Sequence, residues 1–196
     1  MKELLIVVLC YLVGSIPFSY IIVKLVKGVD IRTVGSKNVG ATNAGRVLGK
    51  WGFISSFLLD MSKSYIPIMI LKNYYSTNYL LLFSFFMILG HTYTIFLKFK
   101  GGKGVATAVG VYLAISPKSL IIALTVFIIV AVLFKMVSLS SITAAIALFI
   151  SVMFLESSVS LKIFTFVVVV FVIYKHKDNI RRILNKTERK IGERIG

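Results

Sequence analysis

The sequence predicts an all-α, polytopic membrane protein with seven transmembrane helices. Three observations indicate this class: 58% of the 196 residues are hydrophobic, the mean hydropathy is +0.92, and the formal net charge is nevertheless +16. Soluble domains do not combine such apolarity with such charge. About 20 apolar helical residues cross the roughly 30 Å hydrocarbon core of a bilayer. The predicted spans are residues 4–23, 51–71, 78–97, 101–116, 118–134, 138–155 and 159–174.

Two of these spans need separate justification. The first is interpreted as a retained helix rather than a signal peptide, because Ser15, Ile16 and Pro17 form no A-x-A cleavage site and apolar residues continue to Val23. The fourth is short, since about 16 helical residues cover only about 24 Å. We keep it as a span because a re-entrant fourth segment would put the basic C-terminal tail outside.

The distribution of positive charge predicts the orientation. Of the 23 Lys and Arg residues, 18 fall in one alternating set of connections, which includes the tail from Lys175 to Arg194. The opposite set contains only Lys2, Lys72, Lys118 and Lys162. Because basic connections stay in the cytoplasm, the N-terminus is expected outside and the C-terminus in the cytoplasm.

Composition also excludes other classes of protein. The longest connection, residues 24–50, is too short to fold as a soluble domain, so residues 1–196 are predicted to form a single integral membrane domain. Cys10 is the only cysteine, which excludes an intramolecular disulfide and indicates a packing residue. Orientation and anionic headgroups account for the excess charge, so nucleic acid is not an expected partner.

The first cytoplasmic connection, DIRTVGSKNVGATNAGRVLGK, is rich in glycines and short polar side chains. They are Gly35, Ser36, Asn38, Gly40, Thr42, Asn43, Gly45 and Gly49. Glycines let a backbone approach a ligand, and the hydroxyls and amides add donors, so the segment suits an anion. The alternative is a flexible, solvated loop that only satisfies topology.

The second connection, LKFKGGKGVATAVG, places Lys103 among Gly101, Gly102 and Gly104, immediately before a helical run. Free amides at the positive end of a helix would favour a phosphate group. The pattern is not a Walker A loop, because a glycine rather than Ser or Thr follows the lysine and no strand precedes it. Glycines that permit tight helix packing are an equally good explanation.

Three smaller polar patches complete the inventory. In YKHKDNIRRILNKTERKIG, His176 and Asn179 share a helix face, although a headgroup-facing histidine in an amphipathic segment is the ordinary interpretation. The SLSSIT patch at residues 138–143 is expected to supply a helix N-cap. Asp60 and Lys63, three apart inside the second span, indicate either a functional site or a buried contact between helices.

All the glycine, amide and basic clusters fall on the predicted cytoplasmic side. They therefore predict one cytoplasm-facing pocket for a phosphorylated molecule beside the lipid. A transporter for a phosphorylated anion would need polar residues along a path and an outer counterpart, whereas the outer connections contain only four lysines. A non-enzymatic lipid-binding scaffold would not require the glycine spacing.

Three segments resemble a known family, the bacterial acyl-phosphate:glycerol-3-phosphate acyltransferases. They are GSIPFSYIIVK with VGSKNVGATNAGRVLGK, then LGHTYTIFLKFKGGKGVATAVG, then YKHKDNIRRILNKTERKIG. The resemblance implies an inner-membrane enzyme of phospholipid biosynthesis that converts acyl phosphate and glycerol 3-phosphate into 1-acyl-glycerol 3-phosphate and phosphate. It implies a cytoplasmic groove and no use of acyl-CoA or acyl carrier protein. We expect no cofactor, no metal and a monomer.

The resemblance also implies the site residues. The positions expected to be catalytic are Ser36, Arg46, Lys103, His176 and Asn179. Further substrate-binding positions are Gly35, Asn38, Thr42, Asn43, Gly101, Gly102, Gly104 and Ser141. His91 matches the family motif without a role and is interpreted as interfacial packing.

The chain lacks the signatures of other acyl-transfer chemistries. His91 is followed five residues later by Phe96, and His176 by Arg181, so no His-x4-Asp base is present. There is also no G-x-S-x-G nucleophile elbow. An activated acyl donor suits this pattern, because orienting the hydroxyl near the acyl carbon supplies much of the rate. Basic side chains then stabilise the departing phosphate.

Overall fold

The computed structural model describes residues 1–192, and every regular element in that range is helical. The α-helices are α1 (Lys2–Ser15), α2 (Phe18–Lys27), α3 (Ala41–Leu48), α4 (Lys50–Leu71), α5 (Thr77–Thr92), α6 (Val105–Ile115), α7 (Pro117–Phe134), α8 (Val137–Leu155), α9 (Val159–Lys175) and α10 (Lys177–Leu184). A 3-10 turn at Ile95–Leu97 follows α5. The all-α prediction is confirmed. Arg194, counted above in the basic tail, lies outside the described residues.

The chain divides into two compact units. The first covers Met1–Ala114, and the second begins at Ile115. The first therefore contains α1–α5 and most of α6, and the second contains α7–α10. The interpretation of residues 1–196 as one integral membrane domain stays a prediction.

Five helical segments of the described chain are long and apolar enough to cross a membrane. They are Lys2–Lys27, Lys50–Leu71, Thr77–Leu97, Pro117–Phe134 and Val137–Leu155. The pair α9 and α10, bent by 57°, would be a sixth. Helix α6 has only 11 residues, which cover about 16 Å of a roughly 30 Å core. The prediction of several helices long and apolar enough to span a membrane is thus confirmed, and the number seven stays a prediction.

The first predicted span is interrupted at Pro17. Proline lacks an N–H and its ring crowds the preceding helical turn, so α1 ends at Ser15 and α2 starts at Phe18. The carbonyl of Ile16, which a continuous helix would bond to Tyr20, instead accepts a hydrogen bond from Lys63 Nζ at 2.8 Å. The break therefore creates a polar contact inside the first unit.

Helices α1 and α5 approach closely because both carry glycine at the contact. A Cβ at Gly14 would overlap the carbonyl oxygen of Met87, and a Cβ at Gly90 would overlap that of Tyr11. Small residues of this kind let helix backbones pack tightly where lipid offers no hydrophobic driving force.

The first long connection is folded. It contains α3, and its apolar residues Ile31, Val39 and Ala44 form a small core with Val23 of α2 and Leu97 of the 3-10 turn, each no more than 6% exposed. The interpretation of this connection as a flexible, solvated loop is therefore wrong. Burial of these side chains gives it a fixed conformation.

The start of α8 differs from the sequence-based expectation. Its N-cap is Met136, which makes no side-chain capping bond, so the prediction that a serine of SLSSIT caps the helix is wrong. Ser140 and Ser141 lie inside the first turns and donate to the carbonyls of Met136 and Val137, both at 2.8 Å. Serine hydroxyls within a helix commonly bond back one turn in this way.

Candidate functional site

The first connection is organised around the fully buried side chain of Asn43. Its Oδ1 accepts the N–H of Ser36 at 2.9 Å, and its Nδ2 lies 3.1 Å from the carbonyl oxygens of Ile31, Val34 and Asn38. A short amide side chain at the start of α3 thus ties together most of residues 31–43. Gly35 and Lys37, with φ of 60° and 59°, supply the left-handed turns that this path requires.

Three predicted site residues of this connection keep some solvent exposure. Ser36 is exposed, with its amide fixed by Asn43, and Thr42 is half-buried in the first turn of α3. Arg46 lies in the last turn of α3 and lines an open cavity of about 520 Å³ together with Lys27, Trp51 and apolar residues of α2 and α3. The connection therefore presents a hydroxyl and a guanidinium from a rigid segment.

An ion pair stabilises the entry to this connection. Arg32 contacts Asp30 with its Nη2 2.6 Å from the carboxylate. The hydrogen bond from Arg32 lowers the pKa of Asp30 below its ordinary value. The pair belongs to the scaffold of the connection, where both side chains are partly exposed.

The second glycine connection packs directly on the first. Gly102 lies between the His91 ring and the Val39 carbonyl, because a Cβ added there would overlap His91 Nε2 and come within 2.5 Å of the Val39 oxygen. Gly104, with φ of 85°, turns the chain into α6. Lys103 is thereby held next to the connection that carries Ser36 and Arg46.

The amides of this connection are only partly as predicted. Gly101 N–H donates to Thr92 O at 3.1 Å and Gly102 N–H to His91 O at 3.0 Å, so the expectation that both are free for a phosphate is wrong. In α6 the first amide that donates to a carbonyl one turn earlier is that of Ala108, which bonds Gly104 O at 2.8 Å. The preceding amides of the first turn have no intrahelical acceptor. The start of α6 thus keeps the donors that favour an anion.

The predicted pair of charges in α4 is formed. Lys63 Nζ lies 2.7 Å from Asp60 Oδ1, and both side chains are 2% exposed. Ser19 Oγ donates to Asp60 Oδ2 at 3.3 Å, and His91 Nδ1 lies 3.0 Å from Lys63 Nζ. His91 is therefore buried and bonded, and its interpretation as interfacial packing is wrong.

In the second unit, His176 lies at the bend between α9 and α10. Its ring is 2% exposed, so the headgroup-facing interpretation is wrong. Nδ1 is 2.7 Å from the carbonyl of Val172, which can only accept, so Nδ1 carries the proton and Nε2 is the basic nitrogen of the neutral ring. The hydrogen bond to the Val172 carbonyl fixes both the tautomer and the direction of the imidazole.

Asn179 is positioned by Glu188, a residue that sequence reasoning missed. Glu188 Oε1 accepts hydrogen bonds from Asn179 Nδ2 and Ser138 Oγ, and Oε2 accepts from Arg182 Nε, each at 2.7 Å. Burial alone would raise the pKa of Glu188, but these hydrogen bonds outweigh it and the pKa lies below its ordinary value. The only signal in the sequence was an acidic residue within a strongly basic tail.

The predicted residues therefore form two groups, one in each unit. The first unit holds Ser36, Arg46 and Lys103. The second holds Ser141, His176 and Asn179, and the side chains of these last three are buried. Convergence of all the clusters on one pocket stays a prediction. Within residues 1–192 no three His, Cys, Asp or Glu side chains lie close enough together to hold a metal ion.

Comparison with known proteins adds a separate line of support. Residues 4–186 match a family model described as glycerol-3-phosphate acyltransferase. Glycerol-3-phosphate acyltransferases of Geotalea daltonii and Fusobacterium nucleatum are 42% and 45% identical to this chain, over 95% and 94% of it and 96% and 95% of the relatives.

Solved structures show the same likeness. A crystal structure of PlsY (YgiH), an integral membrane glycerol 3-phosphate acyltransferase, in its glycerol 3-phosphate form superposes with a TM-score of 0.93 at 41% identity. The match covers 98% of this chain and 96% of that one. The lysophosphatidic acid form gives a TM-score of 0.90 at 40% identity, with the same coverage.

Proposed function

Because this chain belongs to the glycerol-3-phosphate acyltransferase family, we propose that it transfers a fatty acyl group from acyl phosphate to the 1-hydroxyl of glycerol 3-phosphate. The products are 1-acyl-glycerol 3-phosphate and inorganic phosphate. The observation that supports this most strongly is the match along nearly the whole chain, residues 4–186, which includes every predicted site residue. The family resemblance read from the three motifs is confirmed.

The choice of acyl phosphate as donor is supported by the residues that the chain carries. Acyl transfer from acyl phosphate breaks the bond between the acyl carbon and the phosphate oxygen, and the departing phosphate keeps the electron pair. That leaving group needs cationic stabilisation more than it needs a covalent enzyme intermediate. Arg46 and Lys103, on two connections that pack on each other through Gly102 and Val39, suit this task.

We assign separate roles to these cations. A guanidinium binds a phosphate dianion with two parallel hydrogen bonds, so Arg46 holds one substrate phosphate. Lys103, next to the donors of the α6 N-terminus, acts as a point charge near the phosphate that leaves. Ser36 and Thr42 supply hydroxyl donors on the connection that Asn43 makes rigid.

In the second unit, His176 and Asn179 orient the glycerol moiety, and Ser141 contributes a hydroxyl at the start of α8. The tautomer imposed by Val172 leaves His176 Nε2 as the nitrogen able to take up the hydroxyl proton or pass it on. The phosphate of glycerol 3-phosphate is the alternative proton acceptor. Comparing the pH profile of kcat before and after His176→Gln distinguishes the two, because only the first assignment removes an ionisation from the profile.

The experiment that tests the proposed function uses the purified full chain in lipid vesicles. We expect 1-acyl-glycerol 3-phosphate when acyl phosphate and glycerol 3-phosphate are supplied, and none when acyl-CoA or acyl carrier protein thioester replaces acyl phosphate. Arg46→Lys and Lys103→Met should each lower kcat/KM by roughly 10²-fold or more, as loss of one preorganised charge-stabilising group does in other enzymes. Lys118→Met, at an exposed position in α7, is the matched control and should keep wild-type activity. Absence of product with acyl phosphate contradicts the proposal.

We further propose seven crossings of the bacterial inner membrane, an outer N-terminus, a cytoplasmic C-terminus and site, and a monomer. The charge bias supports the orientation, since 18 of 23 basic residues fall on one side. The 11 residues of α6 cover about 16 Å, so this helix alone does not reach across a hydrocarbon core of roughly 30 Å, and the fourth crossing rests on the charge bias.

The single native cysteine makes this topology testable. In a Cys10→Ala background, a cysteine introduced in place of Asn73 should react with an impermeant maleimide added to intact cells, and one in place of Lys186 should react only after permeabilisation. Both positions are exposed in the structure. The reverse pattern would overturn the orientation.

A further inference from the structure

A buried polar cluster in the first unit, formed by Asp60, Lys63 and His91, has no part in the transfer described above. Lys63 Nζ donates to Asp60 Oδ1 at 2.7 Å and to the Ile16 carbonyl at 2.8 Å, and it lies 3.0 Å from His91 Nδ1. All three side chains are nearly inaccessible, at 7% exposure or less. The cluster joins the break after α1, the middle of α4 and the end of α5.

The geometry of the ammonium group determines the state of His91. An ammonium has three N–H donors and no acceptor, and here it meets three acceptors. His91 Nδ1 lies 3.0 Å from Lys63 Nζ and 3.6 Å from Asp60 Oδ1, so the ammonium is its nearer neighbour. When Lys63 is charged, its third N–H donates to Nδ1 and the ring proton lies on Nε2. Lys63 therefore fixes both the tautomer and the orientation of the imidazole.

The opposite edge of that imidazole faces the glycine connection. A Cβ at Gly102 would overlap His91 Nε2 on one side and approach the Val39 carbonyl on the other. The His91 carbonyl also accepts the Gly102 N–H at 3.0 Å. Both the ring and the backbone of His91 thus determine where Gly102 lies, and the next residue is Lys103.

Stability alone does not require such a cluster. Burying two charges is costly, and replacing a buried ion pair with neutral residues of similar volume is often neutral or stabilising. Positioning does require it, because an ion pair with a complete set of hydrogen bonds admits one arrangement whereas apolar contacts admit many. The cluster lies between a break in a helix and a connection with predicted site residues, which is where a single arrangement matters.

We propose that Asp60, Lys63 and His91 are positioning residues that hold Gly102 against Val39 and thereby align Lys103 with the connection that carries Ser36 and Arg46. This inference rests on the proposed function, since it assigns the cluster an effect on the same transfer. In the transition state Lys103 faces the departing phosphate, so misalignment lowers kcat. A displacement of about 1 Å can cost about 10²-fold in rate.

The test compares two variants of the full chain in lipid vesicles. The double variant Asp60→Asn/Lys63→Met removes both charges together and leaves no unpaired charge. His91→Asn keeps an acceptor near the former Nδ1 position and removes the ring edge beside Gly102. Ser56→Ala is the matched control, because Ser56 is buried on the same helix and its hydroxyl contacts no hydrogen-bond partner in the structure.

We expect both variants to keep the wild-type unfolding temperature within a few degrees and to lose about 30- to 100-fold in kcat, with KM for glycerol 3-phosphate changed less than about threefold. The control should match wild type in all three quantities. A purely structural role would lower the unfolding temperature and leave kcat per folded molecule unchanged.

The inference is overturned if either the Asp60→Asn/Lys63→Met variant or the His91→Asn variant folds and keeps the wild-type kcat. If the double variant does not fold, His91→Asn decides, because it preserves the ion pair. Failure of the wild-type chain to form product at all refutes the proposed function instead, so the two failures are distinguishable.

Discussion

Replacement of Asn43 by alanine tests whether one buried amide organises the first connection. The side chain bonds the Ser36 N–H at 2.9 Å and contacts three carbonyl oxygens at 3.1 Å. Alanine fits the same place in α3 without a steric clash and with a better helix propensity. Any loss of function must therefore come from the polar contacts.

The magnitude follows from counting donors and acceptors. Nδ2 has two hydrogens for three carbonyls, and Oδ1 accepts one N–H, so the side chain makes the equivalent of three hydrogen bonds. We call the first connection closed when residues 31–43 hold the conformation described above, and open when they do not. At about 1 kcal/mol each, the loss of these hydrogen bonds destabilises the closed connection by about 3 kcal/mol. This corresponds to an increase of about 150-fold in the open population, since about 1.4 kcal/mol is tenfold. A typical fold has about 5–15 kcal/mol of stability, so the helices should survive.

Two measurements check this prediction. Hydrogen exchange of the amides between Ile31 and Asn43 should accelerate by about 10²-fold in Asn43→Ala, because exchange reports local opening. Exchange in α5, which packs on α1 through Gly90, should stay unchanged. In the acyl-transfer assay kcat/KM should fall with the population of the closed connection.

Two further variants make the test specific. Asn43→Asp keeps an acceptor for the Ser36 N–H and loses both donors, so it should accelerate hydrogen exchange and lower kcat/KM nearly as much as Asn43→Ala does. Asn73→Ala removes an exposed amide with one weak 3.4 Å contact to Met69 O and should match wild type. Unchanged exchange between Ile31 and Asn43 in Asn43→Ala would refute the reasoning.

Two other predictions concern packing and charge. Gly90→Ala forces a Cβ onto the Tyr11 carbonyl, so the free energy of unfolding should fall by about 1–3 kcal/mol and the unfolding temperature with it. The control is Gly28→Asn, because Gly28 has a φ of 70° and no atom near the added Cβ; this variant should unfold at the wild-type temperature. For Glu188, whose pKa is lowered in the folded chain, stability should be fully present above the ordinary glutamate pKa of about 4.3 and lost as pH falls through the lower folded value. Glu188→Gln should lower the unfolding temperature at neutral pH and abolish this part of the acid dependence, and an unaltered acid profile would contradict the assignment.

Much of the candidate site could be predicted from the sequence because its signals are local. Glycines with short polar residues around Ser36 and around Lys103 indicate anion binding by their chemistry alone, and the charge bias indicates a side of the membrane. The i, i+3 spacing of Asp60 and Lys63 correctly predicted a pair, because that spacing places two side chains on one helix face.

The errors arose where a residue's partner is distant in sequence. The amides of Gly101 and Gly102 looked free because their acceptors, on His91 and Thr92, lie about ten residues earlier. His176 looked exposed because the sequence shows neither the 57° bend at which it lies nor the burial of its ring there. The serines of SLSSIT looked like caps because the sequence does not show that α8 already begins at Val137, which places these serines inside the helix.

By itself, then, the sequence determined the all-α class, the apolar spans, the family and the residue types of the site, since hydropathy and motif chemistry act over short stretches of chain. Only the tertiary structure decided which of those groups are available. It made Asn43 a structural centre, Glu188 the partner of Asn179, and His91 the neighbour of both Lys63 and Gly102. The physical reason is that a hydrogen bond is assigned by proximity in space, and proximity between distant residues exists only once the chain has folded.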